Sequence, residues 1–215
     1  MKLVFLSDTH NQHQKLTRQI PLGDVLVHCG DFTNRGTAIE VLSFLEWYGN
    51  LPHKHKIFIA GNHDFFFEDI TKDTIESVLP NNVIYLENSG IEINGINFWG
   101  SPSQPIFFDW AFNKTHEELK KTWSKIPVDT DVLITHCPPH QILDKTNNGL
   151  NVGCKALKER LEIINPKINV FGHIHEAYGI EKQNETTFIN ASIVDENYKL
   201  ETPCVVLEFE DCINS

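Results

Sequence analysis

The chain has 215 residues, 40% of them hydrophobic and 22% charged, and its formal net charge at pH 7 is −11. This composition is typical of a folded domain with a full apolar core, and it excludes an intrinsically disordered chain. A long polyanion such as nucleic acid is disfavoured as a partner, because the Lys and Arg residues are scattered and no local positive patch offsets the negative charge.

The sequence predicts neither a secretory signal nor a membrane span. Residues 1–6 are mostly apolar, but Asp8 and His10 interrupt this run before a signal-peptide core of about 7–15 residues can form. No other apolar run approaches the roughly 20 residues that cross a bilayer. The five cysteines are an odd number and include no C-x-x-C pair, which disfavours a disulfide framework. We therefore expect a cytoplasmic protein with reduced thiols and no membrane contact.

In chain order, short runs rich in apolar and β-branched residues predict strands at 2–6, 24–28, 56–60, 82–86, 94–99, 131–135, 168–171, 186–190 and 204–209. Helices are predicted at 13–20, at 37–48, from 115 to a point before Pro127, and at 154–164. The second and third helices begin with capping boxes, Thr37-x-x-Glu40 and Thr115-x-x-Glu118. Without a repeat or a linker, this order predicts an α/β fold of two β-sheets covered by helices, in one domain spanning residues 1–215.

Five of the predicted strands end in residue types that bind metal ions. The segments that follow them are Ser7-Asp8-Thr9-His10, Cys29-Gly30-Asp31, Gly61-Asn62-His63-Asp64, Thr135-His136 and Gly172-His173-Ile174-His175. Ligands of α/β proteins bind beyond the carboxyl ends of strands, so these five ends predict one shared site. Each fragment alone also fits a turn, a helix cap or a satisfied core histidine, but turn chemistry does not account for all five together.

The order D-x-H, G-D, G-N-H-D, a single His and G-H-x-H resembles the calcineurin-like metallophosphoesterase superfamily, over most of the chain. The resemblance implies a four-layer αββα sandwich, in which two mixed β-sheets are flanked by helices. Shorter segments resemble the metallophosphoesterase-domain-containing branch, whose members include phosphodiesterases acting on cyclic nucleotides. These segments are Gly100-Ser101-Pro102, Asp109-Trp110-Ala111-Phe112, Thr135-His136-Cys137-Pro138-Pro139 and Asn151-Val152-Gly153-Cys154.

The same resemblance implies two metal ions. One would be held by Asp8, His10, Asp31 and His175, and the other by Asp31, Asn62, His136 and His173. Asp31 would then bridge two ions about 3.5–4 Å apart. Carboxylate and imidazole ligands suit Mn, Fe, Zn or Co, and the absence of Cys ligands disfavours a soft-metal site. The identity of the ions stays open.

Charge counting at this predicted centre favours an anionic phosphodiester as the substrate. Two divalent cations carry about +4, whereas Asp8, Asp31 and a hydroxide carry about −3. The remainder of about +1 would be cancelled if position 62 held Asp, which is a reason for the amide of Asn62. A water bound between the two cations would supply the hydroxide at neutral pH, because its pKa falls from about 15.7 toward about 7.

The resemblance also implies that His63 faces the substrate and is not a metal ligand. There it would stabilise the phosphoryl oxygens or protonate the leaving alkoxide, with Asp64 orienting its ring. The alternative is a surface histidine in a turn. The sequence therefore predicts His63 and Asp64 as catalytic residues.

Residues 103–112 (SQPIFFDWAF) are rich in aromatic side chains. Core packing is the default role for Phe107, Phe108, Trp110 and Phe112, but one or two of them at the mouth of the site would allow a base to stack. Residues 147–151 are a candidate second wall. Cys137 stands where the family pattern has Gly, and a thiol beside a metal ion is expected to be oxidised or to alter metal preference.

These features predict a metal-dependent phosphoric ester hydrolase that acts on a small phosphoester. The leading hypothesis is a phosphodiesterase for a substrate such as a cyclic nucleotide. The alternatives are a phosphomonoesterase or nuclease on the same site, and a non-catalytic metal-bound interaction module. A module of that kind would be expected to have lost some ligands, whereas every ligand position is filled here. The oligomeric state and the physiological substrate are left open.

Overall fold

A computed structural model describes the backbone of residues 1–214 and the side chains of all of these except 211, 213 and 214. In chain order the strands are β1 (Lys2–Leu6), β2 (Val25–His28), β3 (His55–Phe58), β4 (Val83–Tyr85), β5 (Ser89–Ile93), β6 (Ile96–Ser101), β7 (Gln104–Pro105), β8 (Asn113–Lys114), β9 (Val132–Thr135), β10 (Ile168–Phe171), β11 (Gly179–Gln183), β12 (Thr186–Asn190) and β13 (Val205–Glu208). The helices are α1 (Ala38–Asn50), α2 (Phe66–Asp69), α3 (Lys72–Val78), α4 (His116–Trp123), α5 (Lys155–Ile164) and α6 (Phe209–Asn214).

Two large mixed sheets form the centre of the fold. The first has the strand order β13-β1-β2-β3-β4, and the second has the order β11-β12-β10-β9-β6-β5. The inner strands of each sheet run parallel, whereas β13, β11 and β5 pair antiparallel at the edges. The short strands β7 and β8 pair with each other. The carboxyl ends of β1, β2 and β3 therefore lie along one edge of the first sheet, and those of β9 and β10 lie along one edge of the second.

Alternation along the strands divides the core into three apolar clusters. Phe5 and Leu3 point into a cluster between the two sheets, with Val27, Ile134 and Val170 among its members. Their neighbours Val4 and Leu6 point to the other face of β1, where they pack with residues of α1. The outer face of the second sheet packs against α4 and α5. These four layers confirm the predicted αββα sandwich.

Capping residues set the helix boundaries that the sequence predicts. Both predicted capping boxes form, with Thr37 at the start of α1 and Thr115 at the start of α4. The Cys154 sulfur accepts a hydrogen bond from the first turn of α5, and Asn165 ends that helix in a left-handed conformation. Such ends satisfy backbone groups that a helix leaves unpaired.

The structure differs from the predicted elements at one predicted helix and at several short or edge elements. The predicted helix at 13–20 is only a 3-10 turn, His13–Leu16, and Gln12 before it makes no side-chain capping bond. Among the strands, β5 and β11 were not predicted, because their exposed, polar positions hide the apolar pattern of an edge strand. The short strands β7 and β8 and the short helices α2, α3 and α6 were also not predicted.

The organisation into one domain over residues 1–215 stays a prediction. Strand β13, near the C-terminal end, pairs with β1 at the beginning of the chain. Within the described residues, none of the helices is both long enough and apolar enough to cross a membrane.

Candidate dinuclear metal centre

The seven side chains predicted as metal ligands converge where the two sheets meet. Five loops bring them there, each following the carboxyl end of an inner strand. The residues are Asp8 and His10 after β1, Asp31 after β2, Asn62 after β3, His136 after β9, and His173 and His175 after β10. Because β1–β3 are mutually parallel and β9 and β10 are parallel, all five loops emerge at one end of the sandwich.

Asp8, His10 and His175 form the first group of candidate ligands. Each offers one ligand atom, and these atoms lie within 4.8 Å of one another. The Nε2 atoms of His10 and His175 are 3.3 Å apart, and His175 Nε2 is 3.5 Å from Asp8 Oδ1. Asp31 borders this group, with its Oδ2 atom 3.9 Å from His10 Nε2.

Asp31, His136 and His173 form the second group, again with ligand atoms within 4.8 Å of one another. His136 Nε2 lies 3.4 Å from Asp31 Oδ2 and 2.9 Å from Asn62 Oδ1. Asp31 therefore has one carboxylate oxygen near both groups. This is the arrangement required of a carboxylate that bridges two ions.

The hydrogen bonds around the imidazoles fit metal binding. His136 Nδ1 donates to the carbonyl of Cys29 at 2.9 Å, and His175 Nδ1 donates to the carbonyl of Asp195 at 3.2 Å. These bonds place a proton on Nδ1, so Nε2 is the nitrogen that faces the site and that a metal ion would bind in place of a proton, as in most histidine–metal sites. The donor atoms present therefore suit a pair of metal ions.

Burial keeps two of the imidazoles neutral. It lowers the pKa of His173 to about 3 and the pKa of His10 to about 4. At His136 burial also lowers the pKa, but the adjacent Asp31 carboxylate outweighs it and raises the pKa to about 9. Asp31 behaves in the opposite sense: burial raises its pKa, yet the nearby imidazoles hold it well below its ordinary value. The carboxylate is thus ionised and available as a ligand.

Two positions of the motifs require glycine because candidate ligand atoms lie too close to leave room for a side chain. A Cβ atom on Gly172 would lie 2.1 Å from Asp8 Oδ2, and a Cβ on Gly61 would lie 2.3 Å from Asp31 Oδ1. Any larger residue at either position would displace a candidate ligand. The ligands Asp8 and Asp31 themselves have left-handed backbone angles, with φ of 58° and 56°. The loop conformations therefore fix the positions of the two carboxylates.

His63 lies beside the two groups and forms a third with His10 and Asp31, whose ligand atoms also lie within 4.8 Å of one another. Its Nε2 atom is 3.9 Å from Asp31 Oδ2, and its Nδ1 atom donates to the carbonyl of Asn34 at 2.8 Å. One face of the ring packs on Trp110, with ring centroids 4.2 Å apart and planes 33° apart. The imidazole is thereby oriented with Nε2 toward the space above the two ligand groups.

The expectation that Asp64 orients the His63 ring is wrong, because the carbonyl of Asn34 holds that ring instead. The Asp64 carboxylate accepts hydrogen bonds from the backbone N–H groups of Gly61, Asp31 and Thr33 and from the Thr33 hydroxyl, at 2.7–3.0 Å. Burial and the Asp31 carboxylate raise the pKa of Asp64 to about 7. Its role is to join the loops after β2 and β3, since a fully buried carboxyl must satisfy its oxygens from nearby backbone donors.

Sequence reasoning did not identify Ser192, whose hydroxyl donates to Asp8 Oδ2 at 2.8 Å. Ser192 follows β12 and is fully buried. The signal that identified the ligands, a polar residue just after a buried strand, also applies to Ser192. It was missed because serine is less distinctive than histidine or aspartate at such a position.

The opening of the site is a pocket of about 230 Å³. Aromatic and acidic side chains form its rim: Phe107, Trp110, Glu176, Glu196 and Tyr198. Of the aromatic segment at 103–112, Phe112 is buried in the core while Phe108 is 77% exposed. Residues 147–151 do not line the pocket, although the Asn147 N–H donates to Glu176 at 3.0 Å. The second wall is formed by Glu176, Glu196 and Tyr198 instead.

Cys137 points away from the candidate ligands. Its thiol packs with Trp99, Trp123 and Cys154 in the cluster outside the second sheet, and it donates to the carbonyl of Ser103 at 3.5 Å. A hydrogen bond with Cys154, together with burial, raises the pKa of Cys137 well above its ordinary value. This placement corrects the expectation of a thiol that competes for the metal.

Comparison with known proteins supports these observations. The calcineurin-like phosphoesterase family profile matches residues 1–177. Metallophosphoesterase domain-containing protein 1 of Homo sapiens is 37% identical over 239 aligned residues, which cover 100% of this chain and 72% of that protein. A UPF0046 protein of Caenorhabditis elegans is 36% identical over 220 residues, covering 96% of this chain and 74% of that protein.

Solved structures share the fold at low sequence identity. The crystal structure of TT1561 of Thermus thermophilus aligns with a TM-score of 0.60 at 12% identity, covering 97% of this chain and 98% of that chain. Another crystal structure aligns with a TM-score of 0.67 at 15% identity and the same coverage. With the sandwich, the two His/Asp groups and the family match over residues 1–177 in agreement, the chain belongs to the calcineurin-like phosphoesterase family.

Proposed function

We propose that the protein is a metal-dependent phosphodiesterase that hydrolyses a small substrate such as a cyclic nucleotide. The observation that carries this proposal is the position of Asp31, whose Oδ2 atom lies 3.4 Å from His136 Nε2 and 3.9 Å from both His10 Nε2 and His63 Nε2. One carboxylate oxygen is thus central to both ligand groups and to the candidate acid. A dinuclear phosphoesterase requires this juxtaposition.

Two metal ions would fit the ligand sets found here. Asp8, His10, Asp31 and His175 would hold one ion, and Asp31, Asn62, His136 and His173 would hold the other. When bound, such ions neutralise phosphoryl charge and lower the pKa of water toward neutrality. Mn, Fe, Zn and Co all suit these nitrogen and oxygen donors.

His63 acts as the general acid. Hydrolysis joins a water oxygen to phosphorus and breaks the bond between phosphorus and the leaving alkoxide, which needs a proton. His63 Nδ1 is bound to the Asn34 carbonyl, so Nε2 is the nitrogen that faces the site and delivers that proton. Trp110 on one face of the ring prevents it from turning away.

The preference for a diester rests on charge. Only two carboxylates, Asp8 and Asp31, are among the proposed ligands, while Asn62 supplies a neutral oxygen. The rim adds two more carboxylates, Glu176 and Glu196. A singly charged diester is repelled less by this rim than a doubly charged monoester, because Coulomb repulsion scales with the product of charges.

The test is hydrolysis of bis-p-nitrophenyl phosphate beside p-nitrophenyl phosphate, by protein stripped of metal and reloaded with Mn, Fe, Zn or Co. We expect faster turnover of the diester, lost on chelation, and turnover of at least one cyclic nucleotide in a subsequent panel. Preference for the monoester would reject the diesterase, and preference for single-stranded DNA would replace it by a nuclease. If the fully loaded protein turns over none of these substrates, a metal-bound interaction module would take its place.

A further inference from the structure

Tyr198 occupies an unusual backbone position at the rim of the pocket. Its φ is 59°, in the left-handed region, and its side chain is 45% exposed. For a bulky residue this conformation is an outlier and is strained. A strained residue of this kind persists when the surrounding structure holds it, and such residues cluster at ligand sites.

The turn that carries Tyr198 is held from several directions. Asp195 Oδ1 accepts hydrogen bonds from the N–H groups of Asn197 at 2.8 Å and Lys199 at 2.7 Å, and Gln12 Nε2 donates to the Tyr198 carbonyl at 2.7 Å. The carbonyl of Asp195 accepts from Nδ1 of the candidate ligand His175. The same turn therefore orients the candidate ligand His175 and positions the ring of Tyr198.

The ring stands next to the first ligand group. Its centroid is 4.8 Å from the ring of His10 and 5.3 Å from the ring of His175. Two other aromatic rings line the opening: Trp110 packs on His63, and Phe107 lies on the side of His173, with ring centroids 6.3 Å apart. Trp110 therefore borders the candidate acid, Phe107 borders the second ligand group, and Tyr198 borders the first.

An acyclic phosphodiester has two separate organic substituents, whereas in a cyclic nucleotide one nucleoside carries both ester oxygens. For an acyclic diester the geometry separates the two substituents. The oxygen of the leaving group must reach His63 Nε2, so that substituent lies on the side of Trp110. The substituent retained on phosphorus then extends toward Tyr198. The pocket of about 230 Å³ is smaller than the roughly 300–1,000 Å³ that enclose a whole small-molecule ligand, so both substituents extend onto the rim.

We propose that Tyr198 is a specificity-determining residue that packs against the substituent retained on phosphorus and selects diesters in which that substituent is aromatic. This inference rests on the proposed phosphodiesterase function. Ring stacking supplies the selectivity, since a phenyl ring or a nucleobase has a face that Tyr198 can cover and a methyl group does not. The tyrosine hydroxyl is not required.

The test keeps the leaving group constant and changes only the retained substituent. Phenyl p-nitrophenyl phosphate and methyl p-nitrophenyl phosphate are compared by kcat/KM with manganese-loaded enzyme. We expect the wild-type protein to prefer the phenyl diester, Tyr198→Phe to keep this preference, and Tyr198→Asn to lower the phenyl/methyl ratio about tenfold. Asn is chosen because it tolerates a left-handed backbone, so the turn is preserved.

Phe108→Asn is the matched control. Phe108 also has a left-handed backbone, with φ of 46°, and it is exposed, but it does not line the pocket. Its substitution removes an aromatic ring and relieves strain in the same way, and we expect the phenyl/methyl ratio to stay unchanged. If Tyr198→Asn leaves the ratio unaltered, or if Phe108→Asn lowers it equally, the assignment of Tyr198 is overturned.

A binding measurement tests Tyr198 independently of turnover. Phenyl phosphate and methyl phosphate are the products that keep the retained substituent, and their affinities for the manganese-loaded protein are measured by calorimetry. We expect tighter binding of phenyl phosphate in the wild type and about tenfold loss of that difference in Tyr198→Asn. A binding difference without diester turnover would support Tyr198 while rejecting the phosphodiesterase, whereas diester turnover without a binding difference would reject Tyr198 alone.

Discussion

The two sheets contribute different chemistry to the candidate centre. Loops of the first sheet carry both carboxylates, the Asn62 amide and His63, whereas loops of the second sheet carry the imidazoles of His136, His173 and His175. His10 is the one proposed imidazole ligand from the first sheet. The carboxylates are thus concentrated on one side of the interface between the sheets and most of the nitrogen donors on the other.

The difference has a physical reason. Asp31 and Asp8 are fully or almost fully buried, and each accepts a backbone hydrogen bond, from the N–H of His63 and of His173 respectively. A buried carboxylate needs such donors, together with nearby cations. An imidazole binds a metal ion in its neutral form and needs only one carbonyl partner, so it can stand on the loops of the second sheet. Asp31 is therefore the position on which both proposed ions would depend.

Replacing Asp31 is the change expected to have the largest effect. Asp31→Ala should lose both ions and nearly all activity, because its carboxylate belongs to both ligand groups. Metal content per chain, measured by plasma mass spectrometry, checks this against Asp129→Ala, which removes an exposed carboxylate on the loop before β9. Retention of two ions per chain would contradict the bridging role.

Loss of His63 should reduce the rate while the ions stay bound. If proton donation is its main role, His63→Ala lowers kcat by roughly 10²–10⁴-fold. Steady-state kinetics on a diester with a poor leaving group gives the full effect, since a good leaving group such as p-nitrophenolate needs less protonation. His116→Ala is the control, because His116 is an exposed histidine at the start of α4. Unchanged kcat would remove His63 from the mechanism.

Removal of the ions should lower the stability of the fold. Metal ions that join loops of both sheets stabilise the fold by mass action, by about 2.7 kcal/mol when free metal is about 100 times Kd. For a chain of this length, that corresponds to a fall in Tm of about 5–10 °C after chelation. Calorimetry of loaded and verified metal-free protein measures it. Identical melting curves would show that the ions do not couple the sheets.

Replacing Ser192 is expected to have the smallest and most selective effect. It lies in the loop after β12 of the second sheet, and its hydroxyl donates to Asp8, which lies in the loop after β1 of the first sheet. Loss of such an outer hydrogen bond weakens metal binding by about 10–100-fold, so Ser192→Ala should lower metal affinity without abolishing it. Ser103→Ala is the matched control, since Ser103 is equally buried but its hydroxyl has no hydrogen-bond partner. Equal affinity in the two variants would show that this hydrogen bond does not tune the centre.

Local patterns account for most of the elements that position the site. Strands β1, β10 and β12 have the predicted bounds, since each is a largely buried run rich in apolar and β-branched residues. The 3-10 turn at His13–Leu16 and the edge strands β5 and β11 were not predicted, because polar composition there is compatible with several local structures. The role of Asp64 could not be predicted from the sequence either, since its hydrogen bonds join loops that follow two different strands.

Contiguous segments encode the buried strands and the residues that end them, so the two helix-covered sheets and the set of candidate ligands could be predicted from the sequence. How these segments meet depends on tertiary packing. It placed Asp31 between both ligand groups, bound the His63 ring to the Asn34 carbonyl instead of Asp64, and turned Cys137 away from the site. It also brought Tyr198 to the rim, 188 residues after His10 in the chain. Such contacts depend on the packing of two sheets against each other, and no local pattern of residues encodes that packing.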